Sequence, residues 1–127
     1  MNKKNKNILN KISNSLIASC QPTPKGPLDS PAFVLASAKA SIIGGAKGLR
    51  IEGFENLRII KKNIKIPIIG IKKRNLKNYP IIITPYLTDI EKLADLGADI
   101  IAFDATKRKR PFSVTQIISK IHSLKKI

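Results

Sequence analysis

The chain has 127 residues, with 24 Lys or Arg against 8 Asp or Glu, a formal net charge of +16, one cysteine and no tryptophan. That length suits one domain and is about half of the ~250 residues of a closed (β/α)8 barrel, which excludes a two-domain enzyme within these residues. A hydrophobic content of 43% excludes wholesale disorder.

The elements alternate along the chain. Residues 7–14 predict a short amphipathic helix with Ile8, Leu9 and Ile12 on one face. Residues 15–20 (SLIASC) read as a strand running into a loop rich in Pro and Gly, 21–31. Asp29 or Ser30 is a suitable N-cap, with Pro31 at the first position, for an Ala-rich helix over 31–43 that Gly44 and Gly45 end. A second strand is predicted at 47–52 (KGLRIE), then a helix from Gly53 to about Lys62. The continuous apolar run 66–72 (IPIIGIK) has the length of a strand buried on both faces. Residues 79–86 read as an extended piece, and Thr88 or Asp89 as the cap of a helix through Leu96, stopped by Gly97. Residues 99–104 (DIIAFD) form the fourth predicted strand. Pro111 or Phe112 opens a last helix with Val114, Ile117, Ile118 and Ile121 on one face.

Four repeats of strand, loop and helix imply parallel strands joined by crossover helices, with the helices on one side. Periodicity alone does not choose between an open sheet and part of a barrel. No GxGxxG or Walker A pattern follows the first strand, which argues against dinucleotide and P-loop binding.

The charge is spread evenly, twelve cations in residues 1–65 and twelve in 66–127, and the six aromatics do not interleave with a basic stripe. The expectation is therefore solvated lysine faces rather than a specific nucleic-acid surface. The run 107–110 is expected to be a solvated loop, and it is the one place where an anion site could hide. No apolar run reaches the ~18–20 residues of a membrane helix. The lysine-rich start leads into Gln21-Pro22 rather than a small-residue cleavage site, and Cys20 is alone, so a cytoplasmic protein is expected.

Functional side chains of parallel α/β folds gather at the carboxyl ends of strands. Those positions hold Cys20 and Gln21, Arg50 and Glu52, Lys72, Lys73 and Arg74, and Asp104 and Thr106. The set suits an anionic, hydroxyl-rich substrate. Lys73, set between two cations at the end of a buried strand, is a candidate for acid/base work near neutral pH. His122 on the last helix and Cys20, with no histidine partner, read as non-catalytic. Asp89, Glu91, Asp95 and Asp99 read as helix surface and loop without a metal-ligand cluster.

The strings Ser19-Cys20-Gln21-Pro22, Gly48-Leu49-Arg50-Ile51-Glu52-Gly53, Pro67-Ile68-Ile69-Gly70-Ile71-Lys72-Lys73-Arg74, Ile83-Thr84-Pro85 and Gly97-Ala98-Asp99-Ile100-Ile101-Ala102, in this order and spacing, resemble the N-acetylmannosamine-6-phosphate 2-epimerase family. The resemblance implies the first half of a (β/α)8 barrel, with residues 1–127 as a single half-barrel domain. It implies interconversion of N-acetylmannosamine 6-phosphate and N-acetylglucosamine 6-phosphate, in sialic-acid catabolism, by moving the proton on the acetamido-bearing carbon, with no cofactor and no metal. Lys73 matches the family's catalytic lysine, Gln21 and Arg50 its substrate-binding residues, and Asp104 an acidic residue in a supporting role. Lys72 stands where the family is usually apolar. Against the family pattern the chain stops near the fifth strand, so the resemblance puts a glutamate partner and the phosphate loops in the other half. The expected partners are a sugar phosphate and either a second polypeptide or another copy of the chain, and inactivity alone is expected. The alternative expectation is a non-catalytic remnant or interaction module binding another chain or a polyanion.

Overall fold

The computed structural model describes all 127 residues. The four expected strands form one parallel sheet in chain order: β1 (Ile17–Cys20), β2 (Gly48–Glu52), β3 (Ile68–Ile71) and β4 (Ile100–Ile101). Five helices accompany them: α1 (Lys3–Ile12), α2 (Pro31–Ile43), α3 (Phe54–Asn63), α4 (Leu87–Asp95) and α5 (Val114–Ser123). No helix is long and apolar enough to cross a membrane.

Strand register sorts the residues into two faces. Cys20, Ile51, Gly70 and Ile101 lie side by side across the sheet, and all but the glycine belong to the main apolar cluster. Val34 and Ala38 of α2, Leu57 and Ile60 of α3, Ile90 and Leu93 of α4, and Ile117 and Ile121 of α5 complete it, so these four helices cover this face. Each fully buried Leu or Ile contributes about 1.5–3 kcal/mol. Gly70 is what lets the layers close: a Cβ there would lie 2.9 Å from that of Ala98 and 3.3 Å from Leu93. The neighbouring row, Ser19, Arg50, Ile69 and Ile100, faces the opposite way, as the two-residue period requires. That second face is open, with Ile17 38% exposed.

Several boundaries differ from expectation, each for a local reason. α1 begins earlier because Asn2 caps it, accepting from the Asn5 N–H at 2.8 Å. The α4 cap is Tyr86, not Thr88 or Asp89, because the Asp89 carboxylate is drawn away to Arg74. α5 starts at Val114, where Ser113 and Gln116 form a reciprocal capping box. β3 starts after Pro67, which lacks an N–H but accepts from Leu49 at 3.1 Å. β4 is only two residues long, and residues 79–86 form no strand; they double back on the end of β3, pairing Ile83 with Lys73 in an antiparallel bridge.

Candidate active site

The loops beyond the carboxyl ends of β1, β2 and β3 enclose an open cleft of about 410 Å³ lined by Gln21, Asp29, Glu52, Lys72, Lys73 and Arg74, among others. Gly53 makes the turn out of β2 possible: its φ of +91° is a conformation that L side chains rarely adopt, and its N–H donates to Ile71 O at 3.0 Å. Glu52 is thereby set at the cleft wall. Its Oε1 accepts from the Lys73 N–H at 3.1 Å and lies 3.6 Å from Lys72 Nζ. Lys72 Nζ also sits 5.3 Å from the centre of the Phe54 ring.

Arg74 turns away to the half of the loop that leads into α4. It donates to both oxygens of Asp89, at 2.7 and 2.6 Å, and the Asp89 side chain is only 2% exposed. The hydrogen bonds it donates to Asp89 hold the guanidinium even more firmly protonated than usual. Of three consecutive cations, the outer two thus have dedicated carboxylates. Lys73, the middle one, is exposed to the cleft and makes no ion pair. Its side chain is thus left open to a bound molecule.

The cleft brings Gln21 and Lys73 together, with the Gln21 amide donating to the Ser19 hydroxyl. Arg50 does not line this cleft; it stands half-buried on the open face of the sheet, one row below Glu52. Asp104 lies farther off, at the centre of a network in the loop after β4. It accepts from the Thr106 N–H at 2.8 Å, the Thr106 hydroxyl at 2.6 Å and Arg108 at 2.5 Å, while Arg110 donates to its carbonyl at 2.6 Å. The run 107–110 is an exposed loop at Lys107, Arg108 and Lys109, as expected, but it is not free of internal contacts. Two of its four cations are folded onto Asp104, and Arg108 also reaches Pro80 O at 3.3 Å.

The Thr106 hydrogen bonds first, then Arg108, hold the Asp104 carboxyl below its ordinary value of 3.8. Stabilisation from such a group is present above that ordinary value and is lost only as the pH falls through the lower folded one. Asp104→Asn should cost about 1–2 kcal/mol at pH 7, the scale of hydrogen bonds to a charged acceptor, and the difference from the parent should shrink below pH 3.8. Urea melts of both chains across that range read it.

Two acids hold partners that no local pattern marks. Asp89 is buried against Arg74 and not on a helix surface. Asp99 is a brace between elements, its Oδ2 accepting from Lys61 Nζ and from the Ile68 N–H, both at 3.0 Å. The i to i+15 spacing of Arg74 and Asp89 spans an irregular loop, so no periodic signal marks the pair. Cys20 is buried in the apolar cluster and His122 is exposed, as read.

Four consecutive parallel β/α units, with a cation-rich cleft beyond the strand carboxyl ends, define the class: the first half of a (β/α)8 barrel. The family described as "Putative N-acetylmannosamine-6-phosphate epimerase" matches residues 34–127. Curated relatives called "Putative N-acetylmannosamine-6-phosphate 2-epimerase" are 56% identical in Pasteurella multocida and 54% in Glaesserella parasuis, each over 117 residues that make up 92% of this chain and 51% of the relative. The solved N-acetylmannosamine-6-phosphate 2-epimerase of Clostridium perfringens superposes with a TM-score of 0.90 at 36% identity, covering 94% of this chain and 53% of that one. The chain belongs to the N-acetylmannosamine-6-phosphate epimerase family, and it spans about half the length of the relatives it matches.

Proposed function

We propose that this chain supplies the first half of an N-acetylmannosamine-6-phosphate 2-epimerase active site and that Lys73 moves the proton of the acetamido-bearing carbon. The observation that carries the reading is the unpaired Lys73 in a cleft with Gln21, in a chain of this family. A carbon acid beside a carbonyl is weak, so the site needs a base at the proton and donors for the oxygen that gains charge. Lys73 serves as the base or the acid on one face of that carbon, and inversion requires a second group on the other face, the glutamate partner that the resemblance puts in the other half. Gln21 and Arg50 bind sugar oxygens, and Asp104 supports the site by ordering the loop after β4, without itself moving a proton. The free, buried Cys20 fits a reducing, cytoplasmic setting.

The test is a chimera in which residues 1–127 are followed by the part of the Pasteurella multocida relative beyond its match. Conversion of N-acetylmannosamine 6-phosphate to N-acetylglucosamine 6-phosphate by this chimera is the expected result. A folded chimera without conversion contradicts the reading.

The open sheet face supports a second element of the proposal, a partner that covers it: a second polypeptide or another copy of the chain. Ile17 is 38% and Leu16 61% exposed beside the free edge of β1, and such edges invite pairing. The 127-residue chain should therefore self-associate at tens of micromolar, on the order of ordinary working concentrations. A stable monomer in sedimentation at that concentration would count against it.

A further inference from the structure

We propose that Thr84 is a positioning residue for Lys73, which rests on the reading of Lys73 as the proton-transfer group. Thr84 is fully buried and its φ is +48°, a left-handed conformation in which a β-branched residue is an outlier. Outliers of this kind persist where surrounding structure over-determines them, often at functional sites. The backbone conformation alone would suit glycine or asparagine better. The hydroxyl accounts for threonine.

That hydroxyl does two things at once. It accepts from the Lys72 N–H at 3.2 Å and donates to Ala102 O at 2.7 Å, while the Thr84 N–H donates to Lys72 O at 2.7 Å. In a parallel ladder the rung after Ala102 N–H to Gly70 O runs from the Lys72 N–H directly to Ala102 O. Thr84 Oγ1 stands inside that rung. It spreads β3 from β4 by one oxygen at the level of the peptide that carries Lys73, which explains why β4 stops at Ile101.

The adjacent contacts fix Lys73 from the other sides. Arg74 N–H donates to Ile82 O at 2.9 Å, so residues 82–84 bracket Lys73, and Glu52 takes the Lys73 N–H. Asp104 N–H donates to Ile83 O at 3.1 Å, tying the same bracket to the loop after β4. Without the hydroxyl, the Lys72 N–H and Ala102 O lose their shared partner in a dry place. Reclosing the rung would move the Lys73 peptide toward β4 and away from Gln21. A displacement on the order of 1 Å at a reacting group can cost about 10²-fold in rate.

The test uses Thr84→Val, Thr84→Gly (which suits the backbone but lacks the hydroxyl) and Thr84→Ser, in the chimera described above. The hydroxyl-less variants should lower kcat about 10–100-fold with KM changed less than about threefold, and Thr84→Ser should restore kcat to within about threefold. The Thr84→Val, Lys73→Ala double variant should be no slower than Lys73→Ala alone, because a residue acting through Lys73 has nothing left to act on. Unchanged kcat in Thr84→Val, additive losses, or failure of serine to rescue overturns the inference. Full activity of Lys73→Ala overturns instead the functional reading on which it rests. Amide exchange in the 127-residue chain itself decides the relay even where the chimera is inactive. Lys72 protection should fall at least about tenfold in Thr84→Val or Thr84→Gly and return in Thr84→Ser, and unchanged protection in the hydroxyl-less variants overturns the relay.

Discussion

Replacing Lys73 by alanine is expected to lower epimerisation by the chimera at least about 10²–10⁴-fold, the range that one general acid/base group contributes. The loss should fall on kcat more than on KM, because the proposed role is in the proton transfer and not in holding the sugar phosphate. Lys72→Ala should retain most of the activity: its ammonium is occupied with Glu52 and the Phe54 ring. The two substitutions remove the same charge from adjacent positions, so their contrast separates a reacting amine from a general effect of positive charge. Equal losses would mean that the cleft needs only its charge, and Lys73 would lose its assigned role.

The largest effect on stability is expected at Arg74. Its partner Asp89 has a side chain 2% exposed, whereas the Arg74 side chain itself is 38% exposed. The two ends of this pair are therefore not equivalent. Arg74→Met strands a buried carboxylate and should cost about 3–5 kcal/mol. Asp89→Asn leaves a cation that can still reach water and should cost less, about 1–2 kcal/mol. Because donating to the Asp89 carboxylate raises the already high Arg74 pKa, the guanidinium's share of this stabilisation is fully present below its ordinary value and does not fade in mildly alkaline solution. Denaturant melts of the two variants at pH 7 and 9 check both the asymmetry and its persistence; equal costs would contradict the burial argument.

Regular elements were legible wherever side-chain periodicity met one environment. The runs 47–52 and 66–72 announced β2 and β3 because their residues pack against helices covering one sheet face, and Ser30, Pro31 and Gly44 marked both ends of α2. Legibility failed where a side chain answered to a distant residue. Asp89 reads as a helix cap and is instead the partner of Arg74; Asp104 reads only as a strand-end acid in a supporting role, and it orders Thr106, Arg108 and Arg110 around itself. The strand predicted over 99–104 shrank to two residues because a threonine eighteen residues earlier occupies the next rung. Lys73 and Gln21 were found from strand-end position and motif, and they do share the cleft; Arg50 has the same motif support but lies on the open sheet face, outside it. Sequence pattern thus located the strand ends, while the pairings that leave Lys73 alone among its neighbours came only with the three-dimensional arrangement.

The claim that Lys73 moves a carbon-bound proton is tested most directly by running the chimera in deuterated water and reading the product by proton NMR. The account predicts deuterium at the acetamido-bearing carbon of the epimerised product, lost together with conversion in Lys73→Ala. Epimerised product that keeps its original proton throughout, or deuterium incorporation undiminished in Lys73→Ala, would contradict it.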